Sequence, residues 1–325
     1  MPDVVPLYRP EVGAYLANQY AAASMFVHTL HDRLGEVDFS ERQRNDDDRH
    51  GAAWLRVQRK QFSAHAGALD QLKATTDVNV YHVGAELGTW DGGDRRWHFG
   101  LMGGYGDADT HTGSNFTRLD ATGRVRAYSA GGYATFYETA SEPTGLYVDT
   151  WLQYGHQRQW VRGLFLPEER YTSRTWTGSV EAGYAFRLRA GEHADWFLEP
   201  QLQFVYTDYQ DGDHIEASGT QIESRDAGGL TVRLGVRTYT RPIDVAFNRV
   251  QPFVEANIWH TEKQNSVAFS GSEQRTDLPQ NRYELKLGAE MELSRYWTAW
   301  GHVAFLNSEA SSFTVDGLLG VKYGW

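Results

Sequence analysis

The sequence predicts an all-β transmembrane barrel of twelve antiparallel strands with an N-terminal α-helix inside its pore. Three observations predict the barrel. From Gly51 to the last residue, apolar and polar positions alternate with a period of two through twelve segments. Aromatic residues sort to the ends of the apolar registers. The connections between segments alternate long and short.

Composition narrows the class. At 325 residues the chain is one large domain or two ordinary ones. A net charge of -11 argues against non-specific nucleic-acid binding. There is no cysteine, so no disulfide framework. A mean hydropathy of -0.56 is too polar for a helical membrane protein. The most apolar stretch, Ala14 to Leu30, is interrupted by Asn18, Gln19, Ser24 and His28. MPDVVPLYRP has neither the basic start nor the apolar core of a secretory signal, and the chain is compatible with a piece of a longer protein.

Residues 11–35 read as one helix, about 37 Å long at 1.5 Å per residue. Pro10 precedes Glu11, a carboxylate suited to the positive helix end, and Gly35 follows as a C-cap. SERQRNDDDRH, residues 40–50, is a charged linker without periodicity. Residues 1–50 are therefore read as linker and helix, and 51–325 as the barrel.

The outward registers, in chain order, are Ala53/Leu55/Val57, Tyr81 to Leu87, Trp97 to Tyr105, Tyr128 to Phe136, Leu146 to Tyr154 and Trp176 to Phe186. Then come Trp196 to Tyr206, Leu230 to Val236, Val250 to Ile258, Tyr283 to Leu293, Trp297 to Phe305, and Phe313 to Trp325. None of them contains a charge. The opposite registers hold Arg56, Glu86, Asp149, Glu181, Glu199, Arg233, Arg237, Glu255, Glu284, Lys286 and Glu290. Pro200 and Pro252 fall in apolar registers and are expected near strand starts, where a missing donor is tolerable.

Alternation alone fits a soluble sandwich as well as a membrane barrel. Aromatics at both ends, as in Trp176 and Phe186 or Trp196 and Tyr206, favour two water–lipid interfaces. Long connections are expected at 61–76, 107–122, 157–172, 208–226 and 263–280, and short ones near 89–95, 139–144, 189–194, 241–249 and 294–296. The final hairpin, near 307–312, is the one outer connection that comes out short. The even strand count agrees with single-chain bacterial barrels.

A twelve-stranded lumen is narrow, and a helix about 10–12 Å across would occupy it. Small residues keep the 11–35 helix thin, Ala14, Ala17, Ala21 and Ser24 among them. Its polar residues Asn18, His28, Asp32 and Arg33 would face the charged lumen. The helix is accordingly expected to be an internal plug.

YRPEVGAYLANQYAAASMFVHTLHDRLGE resembles the helix that opens the C-terminal translocator domain of autotransporters, the type V secretion family. GLMGGYGDADTHTGSNFTRLDATGRVRAYSAGGYATFY, GLYVDTWLQYG, LPEERYTSRTWTGSVEAGYAF, QPFVEANIWH and the closing GLLGVKYGW extend the resemblance over the whole chain, in the family's order. It is most similar to adhesin-type members, the AIDA group. The resemblance implies a twelve-stranded barrel in the bacterial outer membrane, a helix in its pore that is the tail of an N-terminal passenger, and export of that passenger to the cell surface. It also implies as partners the passenger itself, outer-membrane lipid and lipopolysaccharide, periplasmic chaperones, and a barrel-assembly machinery that recognises the last strand, with Val321, Tyr323 and Trp325. A monomeric barrel is expected, with no nucleic-acid partner.

No catalytic, metal-binding or cofactor-binding constellation stands out. The fragments WHFG, HTEK and GHVAF lack metal spacing. Asp46-Asp47-Asp48 lacks the EF-hand pattern, and GLMGGYG lies within a strand pattern with no following helix. The lone Asn18 is not the paired-asparagine junction of the self-cleaving members. A barrel enzyme of protease or lipase type would need His65, Asp107, Asp109, His111 or His214 to converge at the rim, and a passive porin would need an open lumen.

Overall fold

Period-two alternation sets the architecture. A computed structural model describes residues 6–35, 51–139, 142–243, 250–276, 280–294, 296–308 and 313–325. After the helical segments α1 (Glu11–Ser24) and α2 (Leu30–Leu34), the first seven strands are β1 (Ala52–Ala66), β2 (Leu72–Gly92), β3 (Arg95–Ser114), β4 (Asp120–Tyr137), β5 (Gly145–Gly163), β6 (Glu169–Arg189) and β7 (Ala194–Asp211). There follow β8 (His214–Ile215), β9 (Gln221–Asp226), β10 (Gly228–Pro242), β11 (Val250–Thr261), β12 (Ser266–Phe269) and β13 (Ser272–Arg275). The last three are β14 (Asn281–Glu292), β15 (Trp297–Ser308) and β16 (Phe313–Gly324). Twelve strands close into one barrel, while β8, β9, β12 and β13 form a small separate sheet from the two longest connections.

The seam runs to the final residue. Strand β1 pairs with β16 from Ala52↔Gly324 to Phe62↔Thr314. Beyond it, Trp325 N donates to Gly51 O at 3.1 Å and Gly51 N donates to Trp325 O at 3.3 Å. No unpaired edge is left at that end for lipid to meet, which a membrane barrel requires.

Alternation separates the faces sharply: Leu319 is 73% exposed and its neighbour Leu318 is 1%. One aromatic belt includes Trp97 against Phe136 at 4.9 Å and Trp297 against Tyr323 at 4.9 Å. The other includes Tyr105 against Tyr128 at 5.3 Å and Tyr154 against Trp176 at 5.1 Å. From Trp176 to Phe186 is about 34 Å along β6, which gives an apolar band roughly 25 Å tall at a tilt of ~40°. Inward aromatics lie flat over glycines on adjacent strands, Trp54 on Gly84, Tyr133 on Gly100 and Trp300 on Gly320, where any Cβ would collide with the ring.

Three of the expected long connections are mostly strand. β1 to β6 continue through 61–76, 107–122 and 157–172 and leave turns of only 67–71, 115–119 and 164–168. The reason is a polarity inversion. Beyond the Tyr81–Tyr105–Tyr128 level the inward register becomes apolar, with Phe62, Ala64, Leu72, Val78, Val125 and Val161 buried. Outward positions become polar, as at Arg59, Gln61, Asp109 and Arg124. The hydrogen-bond ladder does not depend on which face is apolar, so the strands outlast the lipid-facing pattern. The connections expected at 208–226 and 263–280 fold back on themselves, and β9 pairs with β12.

The prolines part company. Pro252 is near the start of β11, but Pro200 lies well inside β7 and faces outward. Pairing between β6 and β7 skips it, from Gly183↔Gln201 to Phe186↔Leu198, because proline has no donor for the ladder. The linker at 40–50, with Asp46-Asp47-Asp48, and residues 244–249 and 309–312 lie outside the described residues.

Candidate functional site: the occupied pore

The 11–35 segment threads the lumen but is not one helix. α1 ends at Ser24 and α2 begins at Leu30, with Met25 to Thr29 between them. Thr29 is the N-cap of α2: its side chain accepts from Asp32 N at 3.1 Å, and Thr29 N donates to the Asp32 carboxylate at 3.1 Å. This reciprocal capping box starts a new helix instead of continuing the old one. Thr29-Leu30-His31-Asp32 carries that signature in the sequence, and β-branched Val27 and Thr29 lower the local helix propensity.

The wall satisfies the backbone that the break releases. Gln153 donates to Phe26 O at 3.4 Å and Gln203 donates to His28 O at 2.9 Å. His28, expected on the helix, sits in the break, stacked 4.5 Å from the Trp151 ring. At the α2 start, Leu30 N donates to Glu181 at 3.0 Å.

α1 leans on the wall formed by β2 to β5. Ala14, Ala17 and Ala21 are buried, and Ala21 lies in a cluster with Phe62, Val78, Ala108, Val125 and Ala127. Asn18 donates to Trp160 O at 3.0 Å. That approach needs Gly123, because a Cβ there would lie 2.5 Å from Asn18 Oδ1. Ser24 turns back to donate to Tyr20 O at 2.8 Å. At the upper end Tyr15 packs among Tyr171, His214 and Phe269, while Gln19 reaches Ser224 of β9 at 2.7 Å and Ser266 O of β12 at 3.1 Å. A cavity of about 110 Å³ remains on the other side of the segment, bordered by Tyr20, Arg282, Lys286 and Asp316.

α2 carries the charge contacts. Arg33 donates twice to Asp149, at 2.6 and 3.2 Å, and its guanidinium lies 4.0 Å from the Tyr133 ring centroid. Asp32 pairs with Lys286 at 3.0 Å, and His31 meets Glu199 at 2.7 Å. Behind them runs a wall network: Arg233 contacts Glu181 at 2.9 Å and Glu255 at 3.3 Å, Arg237 contacts Glu255 at 3.5 Å and Glu290 at 3.1 Å. Glu284 accepts from Asn257 at 2.8 Å and lies 3.9 Å from Lys286. Gly35 ends α2 at φ 70°, against Trp300 and Glu290.

Two further lumen residues meet histidines of the wall. Arg56 donates to His82 Nδ1 at 3.2 Å and is in no ion pair among the described residues. Glu86 pairs with His98 at 2.8 Å near the short-turn end. The rim candidates for hydrolysis divide between two places: Asp109 and His111 border one groove on the outer wall, where Asp109 pairs with Arg124, while His214 stacks beside Tyr171. Sequence reasoning missed His31, His82, Gln153 and the close-approach glycines. An alternating register reveals which way such residues point, but not which helical group they meet.

The family profile of the autotransporter β-domain matches residues 53–304. The chain belongs to the autotransporter β-domain family. This autotransporter domain is 33% identical to the uncharacterized protein YdeU of Escherichia coli K12, over 100% of the chain and 71% of that protein. It is 28% identical to the autotransporter adhesin AIDA-I of Escherichia coli, over 98% of the chain and 25% of the adhesin. The crystal structure of the AIDA-I transport unit superposes with a TM-score of 0.86 at 26% identity, covering 98% of this chain and 100% of that one. The chain thus spans most of one relative and a quarter of the other. It is an autotransporter translocator domain of an outer-membrane family, similar to the AIDA-I transport unit.

Proposed function

We propose that this domain carries its own N-terminal passenger to the cell surface, and that residues 11–35, the passenger's tail, then close the pore. The observation that supports this reading best is the doubly bonded, fully buried pair of Arg33 with Asp149. It fixes the α2 end of a segment whose other end meets β9 and β12. Ala14, Ala17, Ala21 and Ser24 keep the segment thin. Asn18, His28 and Arg33 bind it to the wall. Arg56, Glu86, Asp149, Glu181, Glu199, Arg233, Arg237, Glu255, Glu284 and Lys286 line the transport path. Val321, Tyr323 and Trp325 form the part of the last strand that the barrel-assembly machinery reads. The reading assigns no catalytic step to this chain.

Single-channel conductance of the domain with and without residues 1–35 tests the plug. A marked rise on deletion is expected, and unchanged conductance would reject it. Surface labelling of a reporter fused upstream of residue 1 tests export; a reporter retained in the periplasm would reject that half.

A further inference from the structure

The outer wall beyond the aromatic belt carries charge that passenger export does not use. Strands β4, β5 and β6 are adjacent, and their outward positions within 122–126, 156–162 and 170–174 hold six arginines, one histidine and no carboxylate. His156 lies opposite Arg174, and Arg126 lies directly opposite Arg158, a like-charge pair that is destabilising between neighbouring strands unless an anion intervenes. Arg124 is matched by Asp109 at 2.7 Å and Arg170 by Glu168 at 2.8 Å. Asp107, opposite Arg126 on β3, instead accepts from Asn79 at 3.1 Å. Arg126, Arg158, Arg162 and Arg174 are in no ion pair among the described residues.

Arg124, Arg126, Arg162 and Arg170 border an open groove of about 660 Å³, floored in part by Trp160. The carboxylates on its rim are already taken, Asp77 by Arg59 at 3.3 Å and the other two as above. The groove is therefore built with surplus positive charge in a chain of net charge -11.

Height identifies what meets it. Arg126 and Arg174 are two residues beyond Tyr128 and Trp176 of the belt, about 7 Å along the strand. That is the level of lipid phosphate. Arg162 is farther out, eight residues beyond Tyr154, about 27 Å along the strand and roughly 20 Å in height at a ~40° tilt. The headgroup layer is only about 5–8 Å deep on each side, so a phospholipid would leave the outer arginines unused. A lipid bearing a phosphorylated sugar chain would span the whole patch.

We propose that the outer face of β4–β6 is a binding site for a phosphorylated glycolipid of the outer leaflet, whose phosphates bridge Arg126, Arg158, Arg162 and Arg174. Guanidinium groups suit this task because each offers two parallel donors to a phosphate. The assignment rests on the outer-membrane reading of the domain and adds to it a defined binding face.

The test uses the full chain in phosphatidylcholine vesicles containing purified lipopolysaccharide, the same lipopolysaccharide stripped of phosphate, or free inorganic phosphate. Intact lipopolysaccharide is expected to raise the temperature at which the barrel loses its folded electrophoretic mobility, and the other two are not. The variant R126Q/R158Q/R162Q/R174Q should bind it at least about tenfold more weakly, with folded mobility and pore conductance unchanged, while the four-lysine counterpart, which keeps the charge and loses the paired donors, binds at an intermediate level. Equal binding by the glutamine variant, or equal stabilisation by stripped glycolipid or by free phosphate, would overturn the proposal. A wild-type barrel that inserts and conducts but ignores lipopolysaccharide would overturn this proposal alone. One that inserts into no vesicle would overturn the membrane reading with it.

Discussion

Arg33 and Asp149 meet at 2.6 and 3.2 Å with neither side chain exposed to solvent, one on the threaded segment and one on the barrel wall. Removing one partner of such a pair strands the other charge in a buried site. Arg33→Met is expected to destabilise the folded domain by about 3–5 kcal/mol, and the double change Arg33→Met with Asp149→Leu by much less. Denaturant titration of the single and double variants in detergent checks this. Additive losses would mean that the two residues do not act as a pair.

Ala21 leaves no room between α1 and the wall. It lies among Phe62, Val78, Ala108, Val125 and Ala127. Ala21→Trp should lower the temperature of unfolding and loosen the segment, at a cost of about 1–3 kcal/mol or more. Heat resistance equal to the wild type would count against the tight seating of α1.

The helix break depends on Thr29. Thr29→Ala removes the capping box with Asp32 and should cost about 1 kcal/mol. The loss should be local, as faster amide exchange at Leu30 to Leu34 with α1 unaffected. Uniform change along both helical segments would argue that they behave as one unit.

Polarity inversion predicts opposite tolerance at two outward positions. Leu234, 57% exposed in the apolar band, should resist change to arginine, with a penalty of about 2–4 kcal/mol for folding into vesicles. Ser63, outward beyond the belt, should accept arginine within ~0.5 kcal/mol. Equal penalties would mean that lipid covers both levels.

Trp325 closes the seam with Gly51 and continues the belt, 5.9 Å from Tyr323. Trp325→Ala keeps both backbone bonds and removes the ring. It is expected to slow assembly in cells far more than spontaneous folding into vesicles. Equal slowing in both settings would assign the ring to the seam and not to recognition by the assembly machinery.

How much was legible in the sequence follows from range. Strand number, facing and closure could be read because a strand's period of two is local and lipid punishes any charge in the outward register. The ends of β1 to β6 could not, since the outward pattern stops at the aromatic belt while the ladder continues to residues such as Ala66 and Leu72. Thr29 and Asp32 carried a readable cap, hidden under an otherwise helical run.

The sequence by itself determined that this chain is a twelve-stranded barrel with charges inside and a thin segment before it. Only the tertiary structure decided that Arg33 takes Asp149, that His31 takes Glu199, and that Glu86 and Arg56 turn to histidines instead. Alternation fixes the direction of a side chain, but partner choice depends on the register between distant strands and on the height at which the threaded segment rests. Those are set by packing around the whole ring at once, through contacts such as Asn18 at Gly123 and Gly35 at Trp300, which no local window of sequence contains.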